Sequence, residues 1–285
     1  VGKKIPAGTG LKPYANAKLT YRTADGYVDI DGPASPNAKS LPEWAPVELK
    51  DLDEQLPQQL DWAGYDEFGG ADGSFTRNGH TISGLNNALF AGGFAGTSGI
   101  VIKDLTLDKM TINDSTNTQG IGAFICNVDS MPKIELVNCH LTNSTITSTA
   151  GARVGGLVGW SSGYNKPNDG PVDTYVTITK CSVDNCEITA KGSVGGIIGH
   201  AGANPATYHS ITDCTVTNTK LHSTDDGGWR VGVVVGTANV GEVTINHAVS
   251  TGNTLAQDSK TAPAGQSELY GRFVPGTTGK LIAEA

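Results

Sequence analysis

The chain has 285 residues, 38 of them glycine, with a net charge of −8 and only 17% charged residues. Thr, Val, Ile, Asn, Ser and Gly dominate and long runs of Ala, Leu, Glu and Lys are missing, which argues against a helical protein and for strands and turns. No basic stripe exists to neutralise phosphates, so nucleic acid is not an expected partner, and no run approaches the roughly 18 apolar residues of a membrane-spanning helix.

The chain opens Val1-Gly2-Lys3-Lys4, with neither an initiator Met nor an apolar signal core, and so reads as processed or truncated. Residues 1–40 are turn-rich, with one alternating stretch, Lys18-Leu19-Thr20-Tyr21-Arg22. They read either as a cap strand or as the tail of a preceding region. The segment from Asp25 to Gly32 is acidic enough for calcium but lacks the twelve-residue loop pattern of a calcium site. No metal and no other cofactor is expected. Pro42, Pro46 and Pro57 interrupt residues 41–61, where a short helix fits near Leu52. The expected organisation is a cap region over 1–60 and a solenoid over 61–285, its first coil beginning near Trp62.

From there the sequence repeats. Glycine-bounded hexapeptides begin at Ile121, Val154, Val194 and Val231, so successive units are 33, 40 and 37 residues long. Between them recurs a second string, centred on Leu105, Cys139, Cys181, Cys214 and, more weakly, Ala248. Three residues before this column lie Ile102, Leu136, Ile178, Ile211 and Ile245. Two after it lie Leu107, Leu141, Val183, Val216 and the exception Ser250. Seven after it lie Ile112, Ile146, Ile188, Leu221 and Leu255. Polar residues alternate with these positions, the signature of strands with one buried face. One such unit cannot bury its apolar face alone, so the units must stack, each column becoming a ladder with a rise of about 4.8 Å. The expected fold is all-β, a parallel β-helix or solenoid of about five coils with an N-terminal cap region. Asn143, Asn185 and Asn218, four residues after the central column, suit left-handed corners. The string Leu269 to Val274 reads as a last glycine string able to close the stack.

Five cysteines, at 126, 139, 181, 186 and 214, include no CxxC pair, and three fall in the apolar column, so they read as buried thiols. None of the six histidines shows a metal-binding spacing; His140 and His247 should point outward. Asp225-Asp226 resembles the paired aspartates of polygalacturonase-type hydrolases. The companion Asn-Thr-Asp, Gly-His-Gly and Arg-Ile-Lys strings are absent, and before Gly227-Gly228 the pair is also an ordinary turn. Loops following the glycine strings carry Trp160, Tyr164, His200 and Tyr208 beside Asn and Asp. Aromatic faces with polar neighbours are what a sugar-binding surface uses. The other reading of Trp160 and Tyr208 is that they cover the edge of the core.

Val154-Gly155-Gly156-Leu157-Val158-Gly159 and Val194-Gly195-Gly196-Ile197-Ile198-Gly199 resemble the GLUG motif of bacterial surface proteins. The segment from Phe75 to Gly93, with Asn78-Gly79, Thr81-Ile82 and Gly84-Leu85, is similar to the coil that precedes such repeats. The likeness covers about residues 61–276, and the hexapeptides at Ile121 and Val231 depart from it. The resemblance implies a right-handed β-helix-like fold and an adhesin-like or protease-associated surface protein, often of gut Bacteroidetes. The expected function is therefore a secreted or outer-surface adhesin, a non-catalytic scaffold whose partner is a glycan or a host or cell-surface protein. A polysaccharide lyase or hydrolase and a structural stalk are the alternatives.

Overall fold

Ile102, Leu105 and Leu107 on the strand Ile100–Asp108 are at most 1% exposed, while Lys103 and Thr106 between them are partly open. Strict alternation would place residues 102 and 105 on opposite sides. The phase is reset at Asp104, whose φ of 54° is left-handed. The computed structural model repeats this device on every coil, at Asn138, Lys180, Asp213 and His247, each near 54°. A second left-handed column follows at Lys109, Asn143, Asn185, Asn218 and Gly252. The first column escaped the sequence reading. Four of its five members are Asp, Asn or His, types that tolerate this region better than most side chains.

The chain divides into two units, Val1–Pro57 and Gln58–Ala285. In the first, the described residues are 18–23 and 26–31. In the second they are 74–92, 99–128, 132–162, 164–166, 170–202, 204, 206–274 and 280–284. The helix expected near Leu52 and the start of the first coil near Trp62 lie outside them. Lys18–Thr23 pairs antiparallel with Gly26–Asp31, so the alternating stretch forms one arm of a hairpin.

The second unit is a parallel β-solenoid of about five coils, without helix among the described residues. Each complete coil contributes to four stacks of strands. The long sheet has ten strands, among them Lys133–Thr142, Thr174–Thr179 and Thr207–Thr212. A corner sheet of five runs from Thr111–Asp114 to Thr254–Gln257. The glycine strings then fold as an arch whose first arm stacks four strands and whose second arm stacks six.

The register places the expected columns on top of one another. Ile102 pairs with Leu136, Leu136 with Ile178, Ile178 with Ile211 and Ile211 with Ile245. Leu105, Cys139, Cys181, Cys214 and Ala248 form one inward ladder, no member more than 4% exposed. Each fully buried Leu or Ile here contributes about 1.5–3 kcal/mol. The last rung is looser: Ser250 and Leu255 are half-exposed.

A further column, absent from the sequence reading, lies one step past the left-handed corner: Met110, Ser144, Cys186, Thr219 and Asn253. Here side chains hold backbone donors of the adjacent coil. The Met110 N–H donates to Ser144 Oγ at 3.0 Å, the Cys186 N–H to Thr219 Oγ1 at 3.4 Å and the Thr219 N–H to Asn253 Oδ1 at 3.0 Å. Corner donors would otherwise be buried without partners, at a cost of about 1–3 kcal/mol each.

Glycine in the arch answers close approach of backbone to backbone. A Cβ on Gly122 would lie 2.6 Å from the Gly159 nitrogen and 2.6 Å from the Ile125 and Leu157 oxygens. A Cβ on Gly155 would overlap the Val158 carbonyl, and one on Gly159 the Ile121 nitrogen. The first and last glycines of VGGLVG thus let the two arms meet without side chains between them.

Candidate ligand-binding face

The strand Val158–Ser161 buries Val158 and Ser161 and turns Trp160 outward. Its register partners are Asn127 and His200, and His200 pairs in turn with Thr237. Trp160 and His200 are brought together, ring centroids 6.3 Å apart and tilted by 56°. The Arg153 guanidinium, from the facing arm, sits 4.5 Å from the Trp160 ring centroid. Such a contact is worth about 0.5–1 kcal/mol at an exposed site. Burial, and then the neighbouring Arg153 charge, push the His200 imidazole down to about 4, so it is neutral near pH 7. Its Nε2 lies 3.1 Å from the Gly202 carbonyl oxygen. The Trp160 indole N–H is buried with no hydrogen-bond partner. Trp160 is therefore half-covered, with one ring face spanned by arginine.

Tyr208 lies on a different stack. It is on the long sheet, paired with Tyr175 and Glu242, and Tyr175 pairs with Lys133. The Tyr175 and Tyr208 rings stack at 5.2 Å and 18° and are 49% and 37% exposed. Among the described residues, Val249 is the one other large apolar side chain with comparable exposure. The Tyr175 hydroxyl donates to Asp173 Oδ2 at 3.4 Å, and that carboxylate holds the phenol above its usual range. Beside the tyrosines the outward face carries Thr177 and Ser210, register partners of each other. Lys133 pairs with Glu135 at 3.0 Å and Lys280 with Glu242 at 3.8 Å.

Tyr164 lies on neither stack. It opens a short strand, Tyr164–Lys166, that pairs antiparallel with Gly170–Val172; its side chain is outside the described residues. This hairpin leads directly into the strand that bears Tyr175. Of the four expected residues, the structure joins Trp160 to His200 and sets Tyr208 on a neighbouring sheet beside Tyr175, which the sequence reading missed. Its signal was present: Tyr175 and Tyr208 both stand three residues before the repeat isoleucines Ile178 and Ile211.

Other groups have structural work. Asp225 pairs with Arg230 at 2.7 Å and accepts the Gly227 N–H at 2.9 Å, the arrangement of a turn. His140 Nδ1 lies 2.8 Å from Ser182 Oγ and its Nε2 3.0 Å from Asn138 Oδ1. His140 and Ser182 are register partners on neighbouring rungs, which accounts for the contact as a ladder. The five cysteines are free. The Cys139 thiol contact, and then burial, push the Cys181 thiol up to about 12, and burial pushes Cys186 up to about 11. Among the described residues, no three His, Cys, Asp or Glu gather so as to hold a metal ion.

Parallel coils in register, an arch built on glycine and a variable outer face define a β-solenoid repeat protein. The family model described as the GLUG motif matches residues 192–220, from the first arm of the arch through the second arm and across the long sheet. That match supports a GLUG-repeat protein. No curated protein and no solved structure matches the chain. Among the described residues no helix is long and apolar enough to cross a membrane.

Proposed function

We propose that the protein is a secreted or outer-surface scaffold of the adhesin-like kind, and that it binds glycan without cleaving it. The observation that carries this reading is the stacked, exposed pair Tyr175–Tyr208 on the long sheet. The outer faces of the stack offer flat apolar surface to a sugar ring, while Asp173, Thr177 and Ser210 supply donors and acceptors beside them. The hairpin at 164–172 sits where a rigid repeat admits extra residues, and binding groups concentrate on loops held by such scaffolds. The GLUG match agrees with a repeat surface protein. Trp160 and His200, on a neighbouring sheet, form a second, more covered candidate surface.

A glycan array on the purified chain tests the reading. Binding to a defined class of glycans should appear and should weaken by about 1–3 kcal/mol in Tyr208→Ala, the scale of a lost aromatic anchor. An array without binders, or a Tyr208→Ala protein that binds as the parent does, would overturn it.

A further inference from the structure

The final coil breaks the repeat, and the break leaves an open surface cleft of about 480 Å³. In earlier coils the corner strand leads into the first arm of the glycine arch. After Thr254–Gln257 that arm is missing, and residues 258–268 form a loop instead. Two turns shape the loop. The Lys260 N–H donates to the Gln257 carbonyl with Ser259 at φ 57°, and the Gln266 N–H donates to the Pro263 carbonyl with Gly265 at φ 76°. The lining includes Trp229, where the register of the two preceding coils carries only Ala152 and Gly192.

The lining separates into satisfied and unsatisfied groups. Gln257 is fully used: its Oε1 accepts the Arg230 N–H at 2.8 Å and its Nε2 donates to the Asp225 carbonyl at 3.0 Å. Gln266 Nε2 donates to the Tyr270 carbonyl at 2.8 Å, and Ser267 Oγ accepts the Leu269 N–H. Lys260 and Glu268 are exposed on the lining and, among the described residues, have no ion-pair partner, not even each other. The same lining also holds the apolar side chains of Leu255, Ala256, Ala262 and Trp229.

From this arrangement we infer a binding site for a small zwitterion with an apolar body, of the size of a dipeptide. Lys260 takes its carboxylate, Glu268 its ammonium group, and the Trp229–Leu255–Ala262 surface its side chains. The volume falls in the range of about 300–1,000 Å³ typical of small-molecule sites. This site is separate from the tyrosine pair on the long sheet and does not depend on that reading.

Calorimetric titration with leucyl-leucine tests it, beside the same dipeptide acetylated at its N-terminus, amidated at its C-terminus, or both, and beside glucose. The free dipeptide should give saturable binding, and blocking either end should weaken it by about tenfold or more. Lys260→Gln should remove the discrimination against the amide and leave that against the acetyl group; Glu268→Gln should do the reverse. Both positions are exposed, and unchanged circular dichroism would show that the variants fold. No saturation below ~10 mM, equal binding of free and blocked dipeptides, or a preference for glucose would each overturn the inference.

Discussion

The glycine arch and the outward face of the long sheet are built from the same coils, yet they constrain sequence in opposite ways. In the arch, two arms approach until Gly122, Gly155 and Gly159 leave no room for a Cβ. On the outer face of the long sheet, one column carries Lys133, Tyr175, Tyr208 and Glu242 on successive rungs, and hydrogen bonding of the backbone is indifferent to which. A residue fixed by packing says what the fold needs. A residue the fold leaves free, such as an exposed tyrosine stacked on another, carries information of a different kind.

The largest expected effect breaks the arch. Gly155→Val should destabilise by about 3 kcal/mol or more, the upper end of overpacking, because backbone rather than a movable side chain blocks the new atoms. Gly228→Ala, with nothing within 4 Å and no left-handed φ, should stay within about 0.5 kcal/mol. Urea unfolding of both variants checks the contrast, and equal stabilities would refute the account of the arch.

A second test lies inside the long sheet. His209 is 2% exposed in a column otherwise made of Ile100, Ile134, Val176, Val243 and Leu281, and its Nε2 has no partner. Burial pushes its imidazole from 6.5 down to about 4. The folded state therefore keeps His209 neutral while the unfolded chain takes up a proton as pH falls below about 6.5. Stability should fall with pH between about 6.5 and 4, by up to roughly 3 kcal/mol from this group. His209→Val should flatten that slope; an unchanged slope in unfolding experiments at pH 7, 5.5 and 4.5 would reject the assignment.

Smaller effects belong to the corners and the surface. Asn185 sits at φ 52° and donates from Nδ2 to Asn143 Oδ1 at 2.7 Å. Asn185→Ala should cost about 1–2 kcal/mol, the penalty of a left-handed L-residue, and Asn185→Gly should cost less. Tyr175→Ala should lower stability by only about 0.5–1.5 kcal/mol, the worth of an aromatic pair, and a much larger loss would make the pair structural. At the small end, Cys139, Cys181, Cys186 and Cys214 should react with a thiol reagent at pH 8 only as fast as the protein unfolds, and completely in denaturant. Rapid labelling of the native protein would contradict their burial.

The core was legible in the sequence because stacking makes each column a repeated requirement. The columns from Ile102 to Ile245 and from Leu105 to Ala248 recur at fixed offsets in the sequence, and they stand in register. The left-handed Asp104–His247 column was not legible, since Lys180 and His247 obscure its preference for Asp and Asn. The buried column from Met110 to Asn253 hid for a similar reason: it selects a hydrogen-bonding role that Ser, Cys, Thr and Asn all fill. Trp160 and His200 were found as neighbours because they hold one repeat position. Tyr208 was grouped with them by nearness in sequence, whereas the strand Thr207–Thr212 that bears it belongs to another sheet than Ile198–Ala201, and its partner there is Tyr175.

Coils whose upper and lower edges match have a hereditary consequence. The stretch 154–193 is one complete turn, flanked by strands that pair in the same way with whatever precedes and follows. Unequal recombination between two such stretches would lose or gain a turn without creating an unfamiliar junction. Alleles could then differ in length by whole turns, each altering the reach of the protein by about 4.8 Å while leaving its ends unchanged.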